Sequence, residues 1–308
     1  MKNLKGSLIL FTAAFFWGTT FVAQVSGSNH IGVFTYNASR CFVGCIFLLV
    51  VALIKDKLIK TKQNNTDEES GKWPWKGGII CGIVLFAAMS AQQAGISLYP
   101  DDVAAAGRSG FLTAIYVVIV AVIVSIVGRK LHGLVALSVV GTICGMYLLC
   151  LNEGFSGIYR GDILGLACAF CFAAHILVVD KYRSADSVKL SCIQFLVSGV
   201  LSLIVCIATE KVVLADIVAA AAPILYAGIL SSGVAYTLQM VGQKYAEPAV
   251  ASIVMSMESV IAVVAGAVAL NEVLNGREII GCVLVFASVI VAQLPEFFIK
   301  QDKIGTKK

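Results

Sequence analysis

Ionisable side chains stand inside otherwise apolar stretches of this chain. Glu258 lies about ten residues into the apolar stretch that begins at Pro248, and Arg40 and Arg108 lie within two earlier stretches. A charged group inside a bilayer is costly, so it usually faces a polar cavity or a partner. Glu258 could bind a substrate ammonium group or carry a proton. Alternatively, it is a buried acid that bonds to a neighbouring Ser or Tyr for packing alone.

Structural as well as functional interpretations apply to the two arginines and one histidine. Arg108 could bind a substrate carboxylate with its planar fork of donors, or reach the outer headgroups, or pair with Asp101 or Asp102. For Arg40 we favour an ion pair or bonds to carbonyl groups that stabilise packing. His175 could relay a proton near neutral pH, although a lone intramembrane histidine is more often a hydrogen-bonded packing residue.

Neutral polar side chains occur in the same stretches. Lining a cavity would satisfy them, and so would hydrogen bonds between helices, which contribute about 0.6 to 2 kcal/mol each. We favour the cavity. These residues are Gln92, Gln93, Tyr116, Tyr236 and Gln239. Trp17 could line the same path or fill the interior of the bundle.

Metal binding and catalysis are not expected. Cys168, Cys171 and His175 share one helical face, but a structural zinc site usually needs a fourth ligand, and small packing residues explain the pattern better. The remaining histidines, His30 and His132, lie far from His175 in the chain, and the sequence has no paired-acid motif. We therefore predict no metal, no cofactor and no enzymatic activity.

The composition sets the class of protein. Hydrophobic residues make up 59% of the 308 residues and charged residues only 13%, against about 25% charged in soluble domains. Such a chain is a polytopic membrane protein, with the lipid bilayer as its surroundings. The net charge of +5 is spread over short loops, so nucleic-acid binding is not expected. The 10 Cys lie in apolar stretches and act as small hydrophobic residues.

Hydropathy predicts an all-α protein with ten transmembrane helices, and a polar loop at Lys55–Lys76. With the N-terminus inside, cytoplasmic segments hold 18 Lys and Arg and outer loops hold 3, so both termini are predicted to be cytoplasmic. The predicted spans are 7–26, 31–54, 77–98, 103–127, 132–151, 161–180, 188–208, 218–241, 248–270 and 276–294.

The two halves of the chain resemble each other. Gly6 and Gly44 match Gly161 and Gly199 at one offset, and Gln93 and Tyr99 match Gln239 and Tyr245 at a slightly shorter one. We therefore predict two five-helix domains, 1–152 and 153–308. Because five is odd, the second copy must be inverted in the membrane. Inverted repeats with a site near the midplane are typical of secondary transporters.

In this order, several segments resemble the EamA-type family of the drug/metabolite transporter superfamily. They are FWGTTF from Phe16, Arg40, AAAGRSGFLTAIYVVIV from Ala104, GDILGLACAF from Gly161 and MSMESVIAVVAGAVALNE from Met255. The resemblance implies a ten-helix transporter whose pathway runs between the halves, lined mainly by spans three, four, eight and nine. Spans four and nine of the family often contain a proline that this chain lacks, which argues against a proline hinge.

The sequence thus predicts a secondary transporter in the plasma membrane, such as a bacterial inner membrane. It would move a small polar or amphipathic metabolite or drug, mainly outward, by alternating access. Proton coupling through Glu258 and facilitated diffusion both remain open. The alternative function is a membrane-embedded ligand sensor or scaffold without flux. Gly78-x-x-x-Gly82 and Gly141-x-x-x-Gly145 allow close helix packing within the chain or, through span five, a homodimer.

Overall fold

The computed structural model is helical throughout the part of the chain that it describes, with no β-strand there. The described residues are 2–62, 73–100, 103, 105–128, 133–150, 159–270 and 276–305. The all-α prediction is therefore confirmed.

Ten apolar helical segments correspond to the ten predicted spans. Eight are long and apolar enough to cross a membrane: Leu4–Ser28, Val33–Leu58, Trp75–Ser97, Ala105–Ile126, Arg160–Lys181, Ser187–Thr209, Ala221–Gly242 and Pro248–Ala269. Two shorter segments, Gly133–Gly145 and Ile279–Ala292, occupy the fifth and tenth positions. We number them span one to span ten in chain order. Which termini face the cytoplasm stays a prediction.

Three of the spans consist of more than one helical piece, so the helices outnumber the spans. The helices are α1 (Lys2–Ser28), α2 (Val33–Lys62), α3 (Trp75–Ser97), α4 (Ala105–Ala114), α5 (Tyr116–Ile126), α6 (Gly133–Cys150), α7 (Arg160–Lys181), α8 (Ser187–Thr209), α9 (Leu214–Ala219), α10 (Ala221–Tyr226), a π-helix (Ala227–Ala235), α11 (Tyr236–Gly242), α12 (Pro248–Met255), α13 (Met257–Leu270) and α14 (Gly276–Gly305).

Part of the predicted polar loop is helical. α2 continues to Lys62, about two turns beyond the predicted end of span two, while residues 63–72 lie outside the described part. Lys55 on this extension binds Asp186, with 2.6 Å between Nζ and Oδ2, and Lys189 binds Asp56 at 2.9 Å. These ion pairs to the start of span seven explain why the helix persists past the apolar stretch.

The packing between spans follows a two-fold pattern. Span two packs on span seven and span five on span ten, so each lies against its own counterpart. The other large contacts come in pairs that the repeat relates. The contact of span one with span eight matches that of span six with span three, and the contact of span one with span nine matches that of span six with span four. The contact of span three with span seven likewise matches that of span eight with span two. A two-fold relation between the five-helix halves requires this pairing. The predicted inverted-repeat fold is therefore confirmed.

A pair of close backbone contacts shows the same relation at residue level. Gly6 lies so close to span eight that a Cβ atom there would be 2.8 Å from the Cβ of Tyr245. Its repeat partner Gly161 lies equally close to Tyr99, the repeat partner of Tyr245, with 2.8 Å between such a Cβ and the ring Cζ. The matches found in the sequence are thus equivalent contacts in the fold.

The glycine pairs singled out from the sequence pack within the chain. Gly145 faces span ten, where a Cβ atom would be 2.7 Å from Val285 Cγ2 and 2.9 Å from Gly281 O, and Gly141 contacts Ser288. Gly78 contacts span seven in the same way. The glycine face of span five is therefore covered by span ten, and a homodimer through it stays an untested prediction.

Two spans are interrupted near their middle without a proline. Span four has a turn at Ile115, between α4 and α5, and span nine has one at Ser256, between α12 and α13. In span nine, the Ser256 hydroxyl donates to Ile253 O at 2.7 Å, and the Ser259 hydroxyl donates to Ser256 O at 2.8 Å. Hydroxyl bonds of this kind compete with the helix ladder and bend it. Serines rather than a proline thus accompany the irregularity of span nine.

Candidate functional site

A polar pocket lies where spans one, two, three, four, six, eight and nine meet. It contains about 450 Å³ of space that no atom fills, open solvent at its mouth included. Seven of the ten residues predicted to bind or couple line it: Trp17, Arg40, Gln92, Tyr116, Tyr236, Gln239 and Glu258. The structure therefore brings most of the predicted set together, although their function stays a prediction.

Irregular backbone places three of the polar side chains in this pocket. Tyr116 follows the turn at Ile115 directly, Glu258 follows the turn at Ser256 by two residues, and Ser231 lies in the middle of the π-helix. Non-helical backbone within a membrane is tolerated where it lines a cavity, and π-helical segments are frequent at functional sites. The three interruptions of the spans thus converge on one place.

Buried polar atoms in the pocket have no hydrogen-bond partner. Within the described part of the chain these atoms include Trp17 Nε1, Nε and Nη2 of Arg40 and Gln239 Oε1. Glu258 Oε1 and the Tyr116 hydroxyl also lack a hydrogen bond of good geometry, although these two side chains lie close enough to interact with each other. The Arg40 and Glu258 side chains are nearly inaccessible, at 3% and 4% exposed. Protein interiors pair such groups almost completely. Unpaired donors and acceptors on one pocket indicate a site for a polar ligand.

The pocket combines a guanidinium and a carboxyl group with an aromatic wall. Arg40 and Glu258 both line it, yet no ion pair between them is found among the described residues. The Trp17 and Tyr236 rings meet edge to face, with 4.8 Å between centroids. Trp17 therefore both lines the pocket and packs in the bundle, so its two predicted roles are not exclusive. The guanidinium of Arg40 lies over the ring of Tyr36, 5.4 Å from its centroid.

An amide network borders the pocket toward its predicted outer end. The Gln24 side-chain amide donates to the Oε1 atoms of Gln92 at 3.0 Å and Gln93 at 3.1 Å. Gln92 donates to Thr113 Oγ1 at 3.2 Å, and Gln93 donates to Ser28 Oγ at 2.6 Å. The network links spans one, three and four. Gln93 thus lies behind the pocket lining, where it holds Gln24 in place.

Several lining residues were not foreseen from the sequence. Gln24 and Thr20 line the pocket together with Trp17, and the three lie on one face of α1 at helical spacing. Thr113 precedes Tyr116 by one turn in the same way. Each of these residues lies one or two helical turns from Trp17 or Tyr116, which were already candidates. Helical spacing from those two aromatic residues could therefore have identified them.

Arg108 lies away from the pocket in an ion pair. Its Nε and Nη2 atoms bind the two carboxylate oxygens of Asp162 on span six, each at 2.7 Å. The Asp162 carboxylate also accepts from the Tyr99 hydroxyl and from the Tyr159 backbone N–H, both at 2.9 Å. Arg108 lies over the Tyr159 ring at 4.8 Å. The Asp101 and Asp102 partners considered from the sequence lie outside the described residues, and within the described residues Asp162 binds Arg108.

His175 stands one layer behind the pocket. It is fully buried, its Nε2 lies 3.0 Å from Gln194 Oε1, and its ring packs against Tyr236 with 5.9 Å between centroids. Cys168, on the same helix, instead contacts Thr113 with 3.7 Å between Sγ and Oγ1. These separate partners support a packing role for His175, and a proton relay through it stays a prediction.

Ten apolar helices in two inverted repeats around a central polar pocket define a multi-pass membrane transporter class. The model of the EamA-like transporter family matches residues 4–151 and again residues 159–293, and the chain belongs to that family. EamA is part of the drug/metabolite transporter superfamily.

Two further comparisons agree with this assignment. A protein of Archaeoglobus fulgidus named as an uncharacterized transporter is 28% identical over 297 residues, which cover 96% of this chain and 87% of that protein. The crystal structure of another protein superposes on this chain with a TM-score of 0.76, and the match covers 94% of this chain and 98% of the other. At 18% sequence identity, this second likeness shows the common fold.

Proposed function

We propose that this protein is a secondary transporter of the plasma membrane that carries a small polar or amphipathic molecule by alternating access. The observation that carries the proposal is the set of unpaired buried polar atoms that line one pocket. Glu258 lies ten residues from Pro248, hence about 15 Å along span nine and near the middle of the bilayer. A substrate held there could be released to either side.

The interrupted spans supply the moving parts. The turns at Ile115 and Ser256 and the π-helix of span eight divide spans four, eight and nine at the level of the pocket. The α-helical hydrogen-bond pattern is already interrupted at each of these places, so the span can bend there without losing further backbone hydrogen bonds. Rocking of one half against the other would then open the pocket to one side at a time.

Direction and coupling complete the proposal. Outward transport rests on the family resemblance. Glu258 could exchange a proton for substrate, because its neighbour is the neutral Tyr116 hydroxyl and no cation binds it among the described residues. Facilitated diffusion, in which the substrate moves down its own gradient, fits the same pocket. Both versions need Glu258 for binding, and the membrane gradient distinguishes them.

Flux in reconstituted proteoliposomes tests the proposal, with labelled amino acids and nucleosides offered with and without an imposed pH gradient. Saturable flux that the Glu258→Gln variant loses is expected. Flux that follows the gradient indicates a proton-coupled carrier, and flux that ignores it indicates a facilitator. Normal flux and pH response in Glu258→Gln would refute the role of this residue. Saturable binding without any flux would favour the ligand sensor instead.

A further inference from the structure

Two thiols from different halves of the chain lie in contact inside the helix bundle. Cys45 on span two and Cys192 on span seven are both buried, with 3.8 Å between their sulfur atoms. The Cys192 thiol also donates to Cys45 O, with 3.6 Å between the sulfur and the oxygen. We propose that these two cysteines form a reversible disulfide bond that locks the two halves of the protein together.

The two sulfur atoms can bond after a small adjustment. A disulfide has about 2.05 Å between its sulfur atoms. Thiols already in contact at 3.8 Å reach that distance by rotation about their Cα–Cβ bonds and a small approach of the two helices. Two other cysteines of this interface have different neighbours. The Cys41 sulfur lies 3.7 Å from the Ser198 hydroxyl. The Cys206 sulfur lies 3.1 Å from the Thr35 hydroxyl.

The contact surface of spans two and seven, which we call the seam, joins the two halves. At one end of the seam Lys55 binds Asp186, and at the other Glu210 accepts from backbone N–H groups at the start of α2. The seam between these ends contains small residues, and a Cβ on Gly199 would lie 3.2 Å from the Cβ of Cys41. Ion pairs break and re-form, and packed helices can slide by small amounts. A disulfide in the seam would prevent that sliding.

The disulfide would act next to the pocket. Arg40 lines the pocket and precedes Cys45 by five residues on α2. Cys45 and Cys192 belong to one buried cluster with Tyr236, which lines the pocket from the second half. A bond between spans two and seven would therefore fix the part of the wall that carries Arg40 relative to the second half.

The position of Cys192 gives a small oxidant a short way to the pair. Cys192 lies five residues after Ser187, the first residue of α8, hence about 8 Å along the helix. This end of span seven is predicted to face the cytoplasm, where thiols stay reduced in the absence of an oxidant. The pair would thus be open under ordinary conditions and would close in response to a peroxide.

Hydrogen peroxide is the oxidant of the proposed step. The Cys192 sulfur attacks one peroxide oxygen, so that an S–O bond forms, the O–O bond breaks and water leaves, which gives a sulfenic acid. The Cys45 sulfur then attacks the sulfenic sulfur, so that the S–S bond forms, the S–O bond breaks and a second water leaves. The two thiols lose two electrons to the peroxide, and a dithiol reductant returns them.

Peptide mass spectrometry of the purified full-length protein tests for the bond. After treatment with hydrogen peroxide and alkylation of the remaining thiols, we expect a peptide pair cross-linked through Cys45 and Cys192 that dithiothreitol separates. Cys45→Ala should abolish this cross-link. Cys41→Ala is the matched control and should retain it, because Cys41 lies one turn away and contacts Ser198 instead. Oxidation of Cys45 or Cys192 to sulfinic acid without a cross-link would overturn the inference.

Thermal unfolding shows whether the bond locks the halves. Oxidation should raise the unfolding midpoint of the wild type by about 5 °C, and dithiothreitol should reverse the rise. Cys192→Ala should not respond to either reagent. Because the wild type is measured in both states, the main comparison needs no substitution that could impair folding. A cross-link that leaves the midpoint unchanged would overturn the lock.

Flux separates this inference from the proposed function. For any labelled amino acid or nucleoside that is transported, peroxide should lower the initial flux about fivefold or more, since the movement of the halves is restricted, and dithiothreitol should restore it. Unchanged flux in cross-linked protein would overturn the lock. Cross-linking with a raised midpoint, in protein that transports nothing in either state, would support the lock and contradict transport. Flux in protein that never forms the cross-link would support transport and overturn the lock.

Discussion

Arg40 and Arg108 are two intramembrane arginines with similar local surroundings and different neighbours. Each guanidinium lies over a tyrosine ring. At Arg108 the donor edge is occupied by Asp162, so both charges are satisfied within the protein. At Arg40 the same edge is buried, unpaired and part of a pocket lining. A paired charge joins two helices, whereas an unpaired one remains available to a ligand.

The acids show the same contrast. Asp162 accepts hydrogen bonds from Arg108, from the Tyr99 hydroxyl and from the backbone of Tyr159, so it ties spans three, four and six together. Glu258 has no cationic partner among the described residues, and the side chain that interacts with it is the neutral Tyr116. Substitution should therefore affect stability at Asp162 and binding at Glu258, and the following variants test that division.

The largest effect is expected for Glu258→Gln in the flux measurement. Loss of the carboxylate should lower flux roughly ten- to hundredfold, because a charge-assisted contact to the substrate is removed. Thermal stability should not fall, since glutamine has nearly the same shape as glutamate and replaces a buried acid that no cation binds among the described residues. The measurement is initial flux in proteoliposomes at matched protein content.

Glu210→Gln is the matched control. Glu210 lies outside the pocket and accepts bonds from the backbone N–H groups of Phe34 and Thr35 at 2.8 Å, so it caps the start of α2. This variant should lose stability and retain substrate affinity. Equal loss of flux in both variants, in protein that remains folded, would contradict the division between binding and structural acids.

Asp162→Asn should have the largest effect on stability. Asp162→Asn removes the carboxylate that binds both Nε and Nη2 of Arg108, and the loss of one partner of such an ion pair costs about 3 kcal/mol. Thermal unfolding in detergent measures the loss. The charge-reversed double variant, Arg108→Asp with Asp162→Arg, should recover part of it. A stable Asp162→Asn protein with impaired ligand binding would place this pair at the substrate site instead.

Much of the fold could be predicted from the sequence because hydropathy and length determine it. The ten spans and the inverted repeat follow from apolar stretches and from matches such as Gly6 with Gly161. Glu258 could be singled out because an acid in an apolar stretch is conspicuous. The structure shows that Glu258 lines the same pocket as most of the other candidate residues.

Pairings between spans could not be predicted. Arg108 and Asp162 are 54 residues apart, and their contact depends on how spans four and six are rotated and tilted, which hydropathy does not specify. From the sequence we favoured a structural role for Arg40, yet this residue lines the pocket. Its position could not be foreseen because hydropathy does not specify how span two is rotated. The breaks at Ile115 and Ser256 could not be predicted either, because no proline marks them in the sequence.

Gly18→Ala should disturb the pocket without changing any charge. Gly18 brings span one against span nine beside Glu258, and a Cβ there would be 2.5 Å from Ile261 Cβ and 2.7 Å from Glu258 O. Overpacking of this kind costs about 2 kcal/mol and would displace Glu258 within the pocket. Thermal unfolding and ligand affinity should both decrease.

Gly110→Ala is its control, since the added Cβ would meet Ala262 Cβ at an ordinary 3.4 Å. This variant should be nearly neutral in both measurements. If Gly18→Ala were equally neutral, the distance between spans one and nine would not control the position of Glu258.

The smallest effect is expected outside the membrane, at Asp186. Its carboxylate accepts from the Val188 and Lys189 N–H groups at the start of α8 and binds Lys55. Asp186→Ala should cost about 1 kcal/mol through the lost cap. Asp186→Asn keeps a capping oxygen and should cost about 0.5 kcal/mol or less, because the ion pair is partly exposed to solvent.

The pH dependence of Asp186→Asn separates the charge from the cap. Partial burial acts to raise the pKa of Asp186, but the bonds from Lys55 and the α8 backbone outweigh it and hold the pKa below its ordinary value. The contribution of the charge is therefore complete above about pH 4 and disappears as the pH falls through the lowered pKa of the folded state. Unfolding midpoints of the wild type and Asp186→Asn should converge in acid, while Asp186→Ala stays less stable throughout. If the unfolding midpoints of the wild type and Asp186→Asn still differ in acid, the effect of the substitution comes from the geometry of the cap. The charge pair of Asp186 and Lys55 would then contribute no measurable stability.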